Sequence, residues 1–63
     1  DRYGESITRF NMAMIYRAQG ELAAAVALLE RVVELDHLVQ HPDLASHTAL
    51  LEEVRAELAA KNR

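Results

Sequence analysis

Two helix-breaking residues, Gly20 and Pro42, interrupt a chain that otherwise favours helix along its whole length. Glycine tolerates the left-handed backbone that commonly follows a helix end. Proline has no N–H to donate, and it disfavours helical geometry at the residue before it. The sequence therefore predicts three helices, over about residues 5–19, 21–40 and 43–60. Because both connections are short, neighbouring helices are predicted to lie antiparallel.

The composition favours an all-α fold that forms one small domain over residues 1–63. Hydrophobic residues make up 51% of the chain, and it contains only two glycines and one proline, which leaves few turn signals for a β fold. One core of this size supplies roughly 3–5 kcal/mol of stability. The chain has no cysteine, so a disulfide or thiolate metal site cannot add to it. We expect any further stability to come from tight helix packing or from association with other chains.

The apolar faces of the predicted helices indicate how many neighbours each one has. Helix two has an apolar arc close to half its circumference, which suits a helix between two neighbours. Helix three has a narrower apolar stripe, as expected of a last, capping helix. Helix one is apolar on two sides, one with Met12, Ala13 and Tyr16 and the other with Ile7, Phe10, Met14 and Ala18. Helix two can cover only one of these sides, so we expect the second to lack cover within the chain.

The stretch from Arg9 to His37 resembles the tetratricopeptide repeat, whose signature is W-x2-L-G-x2-Y…A-x3-F…P within a helix–turn–helix. The matching positions are Met12, Ala13, Tyr16, Gly20, Ala25 and Leu29. Small residues at 13 and 25 let the two helices approach closely, while the larger side chains fill the surrounding space. The departures from the signature are Arg9 for the Trp, Val32 for a small residue and His37 for the closing Pro.

The resemblance implies a protein–protein interaction scaffold, here the last repeat and capping helix of a longer array. Residues 1–6 are similar to the joint that precedes a first helix in this family. In the family, first helices line a groove that holds a protein or peptide partner, and the positions that fall there are Ile7, Phe10, Met14, Arg17 and Ala18. Some members clamp a C-terminal carboxylate with Lys and Asn at these places. Phe10 and Met14 stand there instead, so no carboxylate clamp is expected.

The residues alone leave a second interpretation of the helix-one stripe open. The same apolar side chains suit packing on a preceding repeat, or on a second copy of this chain. The alternative function is therefore a structural self-association module that forms homo-oligomers through the exposed apolar face of helix one. Both interpretations predict that the isolated chain associates, because an uncovered apolar face is unfavourable in water.

Three histidines, His37, His41 and His47, raise the question of a metal site. A structural zinc site takes four ligands and a catalytic one takes three. Asp36 and Asp43 are nearby in sequence, but nothing in their spacing requires a metal. Histidines near the end of helix two are favourable there without a metal, because that end of the helix dipole is negative. We predict no metal and no cofactor.

Catalysis, nucleic-acid binding and a membrane span are not expected either. Glu52 and Glu53 are adjacent on a helix, so their carboxylates diverge by about 100° and do not converge on a substrate. The net charge of −3 provides no phosphate-binding surface. The longest apolar run, residues 22–29, is short of the roughly 18 residues that a span needs. No signal peptide is visible and the chain begins without Met, so we expect a cytoplasmic segment of a longer protein. Its Ala and Leu richness suggests a bacterial source.

Overall fold

The computed structural model describes residues 1–63 and contains three α-helices: α1 (Arg2–Ala18), α2 (Leu22–Val39) and α3 (Leu44–Lys61). The predicted all-α hairpin with a third helix is confirmed. α1 begins at Arg2 rather than near Glu5, because the Asp1 carboxylate caps it by accepting a hydrogen bond from the Tyr3 N–H at 3.0 Å. The opening residues, expected to form a joint ahead of the helix, are therefore its first turn.

Both inter-helix turns close in the same way. Gly20 has a φ of 78°, and the N–H of Glu21 donates to the Tyr16 carbonyl at 2.9 Å. Gln40 has a φ of 53°, and the N–H of His41 donates to the Asp36 carbonyl at 2.9 Å. In each case a left-handed residue lets the chain satisfy the last carbonyls of the helix before it turns back. Glycine adopts this conformation without strain, whereas glutamine carries a Cβ that disfavours it.

The core lies where α1, α2 and α3 meet along the length of α2. Its buried apolar residues are Ala13, Ala25, Leu29, Val32, Leu35, Leu51 and Val54. Ala13 and Ala25 have no exposed surface, so the small residues of the repeat signature do lie inside the hairpin. Leu29 is fully buried beside them, and Tyr16 packs half-buried against the same cluster.

α3 also reaches across to α1, which makes the molecule more than a hairpin with an appended helix. The ring of Phe10 lies 4.8 Å from that of His47, and Lys61 at the end of α3 donates to the Gly20 carbonyl. Phe10 thus contacts the beginning of α3, and Gly20, which follows α1, contacts its end. α1 and α3 therefore run parallel, with α2 antiparallel to both. None of the three helices has the length and apolar character needed to cross a membrane.

Candidate interaction surface

The most distinctive surface of the molecule is the side of α1 that faces away from α2 and α3. We call this the outer face of α1, and it consists of Tyr3, Gly4, Ile7, Thr8, Asn11, Met12, Ile15 and Ala18. At its edge the Tyr3 ring stacks on that of His41 in the turn between α2 and α3, with ring centroids 5.4 Å apart. Four of its large apolar side chains are well exposed, with relative exposures of 53% for Tyr3, 47% for Ile7, 41% for Met12 and 58% for Ile15. The face contains no charged residue. Of the charged residues within α1, Glu5 and Arg9 border the face beside Met12, and Arg17 pairs with α3.

The predicted partner-binding residues divide between two surfaces. Ile7 and Ala18 lie exposed on the outer face of α1. Phe10, Met14 and Arg17 instead point toward the core and α3, and each is half-buried. The expectation that the second apolar side of α1 lacks cover within the chain is therefore wrong for Phe10 and Met14. The uncovered surface lies further round the helix, and it includes Ile15 and Met12, which the groove prediction did not contain.

Arg17 holds the inner side of α1 against α3 through two carboxylates. Its guanidinium donates to Glu53 at 3.1 Å and to both oxygens of Glu57, one of them at 3.1 Å. The hydrogen bond from Arg17 holds the pKa of the Glu57 carboxyl below its ordinary value, and the same pair raises the pKa of Arg17. Arg17, predicted as a partner-binding position, is thus already paired within the chain.

A second group of ion pairs closes the opposite flank of the hairpin. Glu5 accepts hydrogen bonds from Arg9 at 2.7 Å and from Arg31 of α2 at 3.2 Å, and Arg31 also pairs with Glu34. The two guanidinium groups lower the pKa of Glu5, the hydrogen bond from Arg9 being the larger cause. These pairs lie beside the outer face and leave it uncharged.

A buried polar network joins the three helices, and it was not among the predicted contacts. Asp36 of α2 is fully buried and accepts a hydrogen bond from the Ser6 hydroxyl of α1 at 3.3 Å. Its other oxygen accepts from Nδ1–H of His47 on α3 at 2.6 Å. The Ser6 hydroxyl therefore donates to the carboxylate and not to the histidine, so the histidine does not activate it as a nucleophile.

The sequence did contain a signal for this network. Asp36 lies seven residues after Leu29 and four after Val32, so it falls in the middle of the buried arc of α2. A charged residue on a buried arc needs partners, and polar residues on the facing arcs of the neighbouring helices can supply them. Ser6 and His47 occupy such positions.

The ring of His41 extends this network to a cluster of three potential metal ligands. One ligand atom each from Asp36, His41 and His47 lies within 4.8 Å of the others. Tetrahedral zinc with bonds of 2.0–2.1 Å needs ligands about 3.4 Å apart, and a structural site takes four. Both Asp36 oxygens and the Nδ1 atoms of both histidines already have hydrogen-bond partners, since His41 Nδ1 accepts from the Asp43 N–H at 2.9 Å. Hydrogen bonding accounts for the arrangement without a metal, and the absence of a metal stays a prediction.

A groove of about 550 Å³ between α2 and α3 is the largest concavity. Its apolar lining residues are Val33, Leu38 and Leu51, of which Leu38 is exposed, and the other lining residues are polar or charged. The rim charges are largely paired, since Arg55 bridges Glu30 at 2.9 Å and Glu52 at 2.8 Å. The groove therefore offers fewer free apolar groups than the outer face of α1 does.

No family model, curated protein or solved structure matches this chain. The arrangement of its own residues therefore carries the functional argument.

Proposed function

We propose that this chain is a protein–protein interaction module of the tetratricopeptide type, which holds a protein or peptide partner on helix one. The observation that carries the proposal is the outer face of α1, where four large apolar side chains are exposed and no charge interrupts them. Contiguous exposed apolar patches on small proteins commonly mark interaction sites. Interface centres are likewise depleted in charge and enriched in aromatic residues and methionine, as this face is with Tyr3 and Met12.

The packing of the hairpin supports the family part of the proposal. Ala13 and Ala25 are fully buried between α1 and α2, as the repeat signature requires of its small positions. Met12, at the Leu position of the signature, does not contribute to the hairpin core and lies on the outer face instead. In an array of repeats, a large apolar residue at this place is suited to contact a neighbouring element.

The remaining surfaces favour a protein partner over nucleic acid. Arg9, Arg17, Arg31 and Arg55 all engage carboxylates within the chain. Because these cations are neutralised, they form no basic patch of the kind that binds phosphates. We also propose a cytoplasmic location, since small domains of oxidising compartments commonly depend on disulfides and this chain has no cysteine.

The alternative function is a structural self-association module that builds homo-oligomers through the same face. The lack of charge on the outer face favours it, because two copies of a neutral surface meet without electrostatic repulsion.

Selection from a displayed peptide library tests the interaction role. Binders are selected on the native chain and then compared on the double variant Ile7→Lys/Ile15→Lys, which places two charges on the outer face. The matched control is Ala49→Lys/Ala56→Lys, which adds the same charges at exposed positions of α3. We expect selected peptides to bind the native chain and the control but not the outer-face variant. Equal binding to all three proteins, or no selected binder, would contradict the proposal.

A further inference from the structure

The outer face of α1 has a symmetric sequence along its centre line. The residues in question are Gly4, Ile7, Asn11, Ile15 and Ala18. Successive members are three, four, four and three residues apart, so the series reads small, isoleucine, asparagine, isoleucine, small in both directions. At about 100° per residue, these five positions fall within an arc of roughly 80° on the helix. They form one narrow stripe, and all are exposed except Gly4, which is partly exposed.

We propose that the occupant of this face is a second copy of the chain, bound through an antiparallel α1–α1 contact whose twofold axis passes beside Asn11. This inference rests on the outer face being the interaction site proposed above, and it names as its partner a second copy of the chain, as in the alternative function. A twofold interface places the same patch of both subunits face to face, so the patch must be complementary to itself. In an antiparallel pair centred on residue 11, each position of one helix meets the position equally far from 11 on the other.

The stripe is complementary to itself at each pair of positions equally far from residue 11. The Ile7 side chain of one copy lies at the level of Ile15 in its partner, and Gly4 lies at the level of Ala18. Small residues at both ends leave room for the ends of the opposing helix, and the isoleucines supply the apolar contact. In a parallel pair each residue meets its own copy whatever the sequence. In an antiparallel pair like meets like only where the sequence is symmetric about the axis, as the stripe of α1 is about residue 11. The opposed helix dipoles add a further preference for this direction.

Asn11 fits the position on the axis. A primary amide carries one acceptor oxygen and two donor hydrogens, so two asparagines related by a twofold axis can exchange a pair of hydrogen bonds. A polar residue of this kind within an apolar helix contact fixes the register of the two helices. Sliding by one turn would bury each amide against an isoleucine and leave its donors unpaired.

The size of the contact sets the expected strength of the dimer. A helix of 17 residues is roughly 26 Å long and about 10–12 Å wide, so the contact strip covers roughly 300 Å² in projection. This is well below the roughly 800 Å² per partner of a standard stable complex. We therefore expect reversible dimers that form in the micromolar to near-millimolar range of protein concentration.

Sedimentation equilibrium over that concentration range tests the association. The expected result is a weight-average mass that doubles for the native chain and for Ala49→Lys/Ala56→Lys, while Ile7→Lys/Ile15→Lys stays monomeric with an unchanged helical circular-dichroism signal. Both isoleucines are exposed, so lysine there leaves the monomer fold intact. A native chain that remains monomeric, or an outer-face variant that associates as the native chain does, would overturn the inference.

Cysteine cross-linking tests the direction of the helices, and the chain has no native cysteine to interfere. Asn11→Cys lies on the proposed axis, so two copies should form a disulfide under mild oxidation. Ala18→Cys should not, because its two copies stand about 21 Å apart along an antiparallel pair and a disulfide spans Cα atoms about 4.4–6.8 Å apart. Efficient cross-linking of Ala18→Cys would indicate a parallel pair and overturn the proposed geometry.

Peptide selection tests the interaction role and sedimentation equilibrium tests the second copy as occupant, so the two results can fail independently. A monomeric native chain that still selects peptides on its outer face overturns the second copy as occupant and leaves the interaction role standing. Failure of both removes the interaction role as well.

Discussion

The contact between α1 and α2 at Ala25 gives the most direct test of the hairpin packing. Ala25 and Ala13 have no exposed surface, and both belong to the buried cluster at the centre of the molecule. Ala25→Leu adds three heavy atoms where the two helices approach closely. Overpacking of this kind costs roughly 1–3 kcal/mol, against a total stability of roughly 3–5 kcal/mol for a domain of this size. At about 4–8 °C per kcal/mol, we expect a melting temperature roughly 5–20 °C lower.

Ala23→Leu and Ala27→Leu are the matched controls. They add the same atoms to the same helix, but both positions are exposed. Leucine has a helix propensity close to that of alanine, so these two variants should melt within a few degrees of the native chain. Circular-dichroism melts at one fixed protein concentration provide the comparison, because association shifts the midpoint. If Ala25→Leu melts together with the two controls, the close approach of the helices at this residue is refuted and the resemblance loses its physical basis.

Three further predictions concern the polar interactions. Asp36→Ala should destabilise the fold by about 2–3 kcal/mol in urea unfolding, because it leaves the partners Ser6 and His47 unpaired next to a cavity. Asp36→Asn should cost clearly less, since an amide can accept from His47 and donate to Ser6, and equal losses would argue against the network. Stability should fall as the pH drops below 4.5, because the folded pKa values of Glu5 and Glu57 lie below that ordinary value; their contribution is present above it and is lost as each carboxylate protonates in the fold. The variant Glu5→Gln/Glu57→Gln should show a weaker acid dependence, and an unchanged one would mean that other groups carry it. A chelator should leave the helical signal and melting temperature unchanged, and a fall of many degrees would reveal a structural metal.

Local chemistry explains why the helix boundaries were largely predictable. Gly20 and Pro42 act through their own backbone restrictions, so their effect depends little on the rest of the fold. The predicted ends of α2 and α3 lie within a residue or so of the observed ones. α1 begins about three residues before its predicted start because Asp1 caps it, and an aspartate before a helical stretch is itself a local signal.

The candidate site was less predictable, because a helical wheel gives faces but not their neighbours. Ile7 and Phe10 belong to the same sequence stripe, yet one is exposed and the other packs against His47. What separates them is the direction from which α3 approaches α1, and no periodicity within α1 contains that direction.

The sequence by itself determined three helices, their approximate limits and the small residues that let α1 and α2 meet, because each depends on backbone chemistry or on the periodicity of a single segment. Only the tertiary structure decided which side of α1 remains open. It packed α3 parallel to α1, engaged Arg17 with Glu57 and Asp36 with His47, and left an uncharged stripe around Asn11 facing outward. These contacts join residues far apart in the chain, and their partners are set by how the helices pack rather than by any local preference.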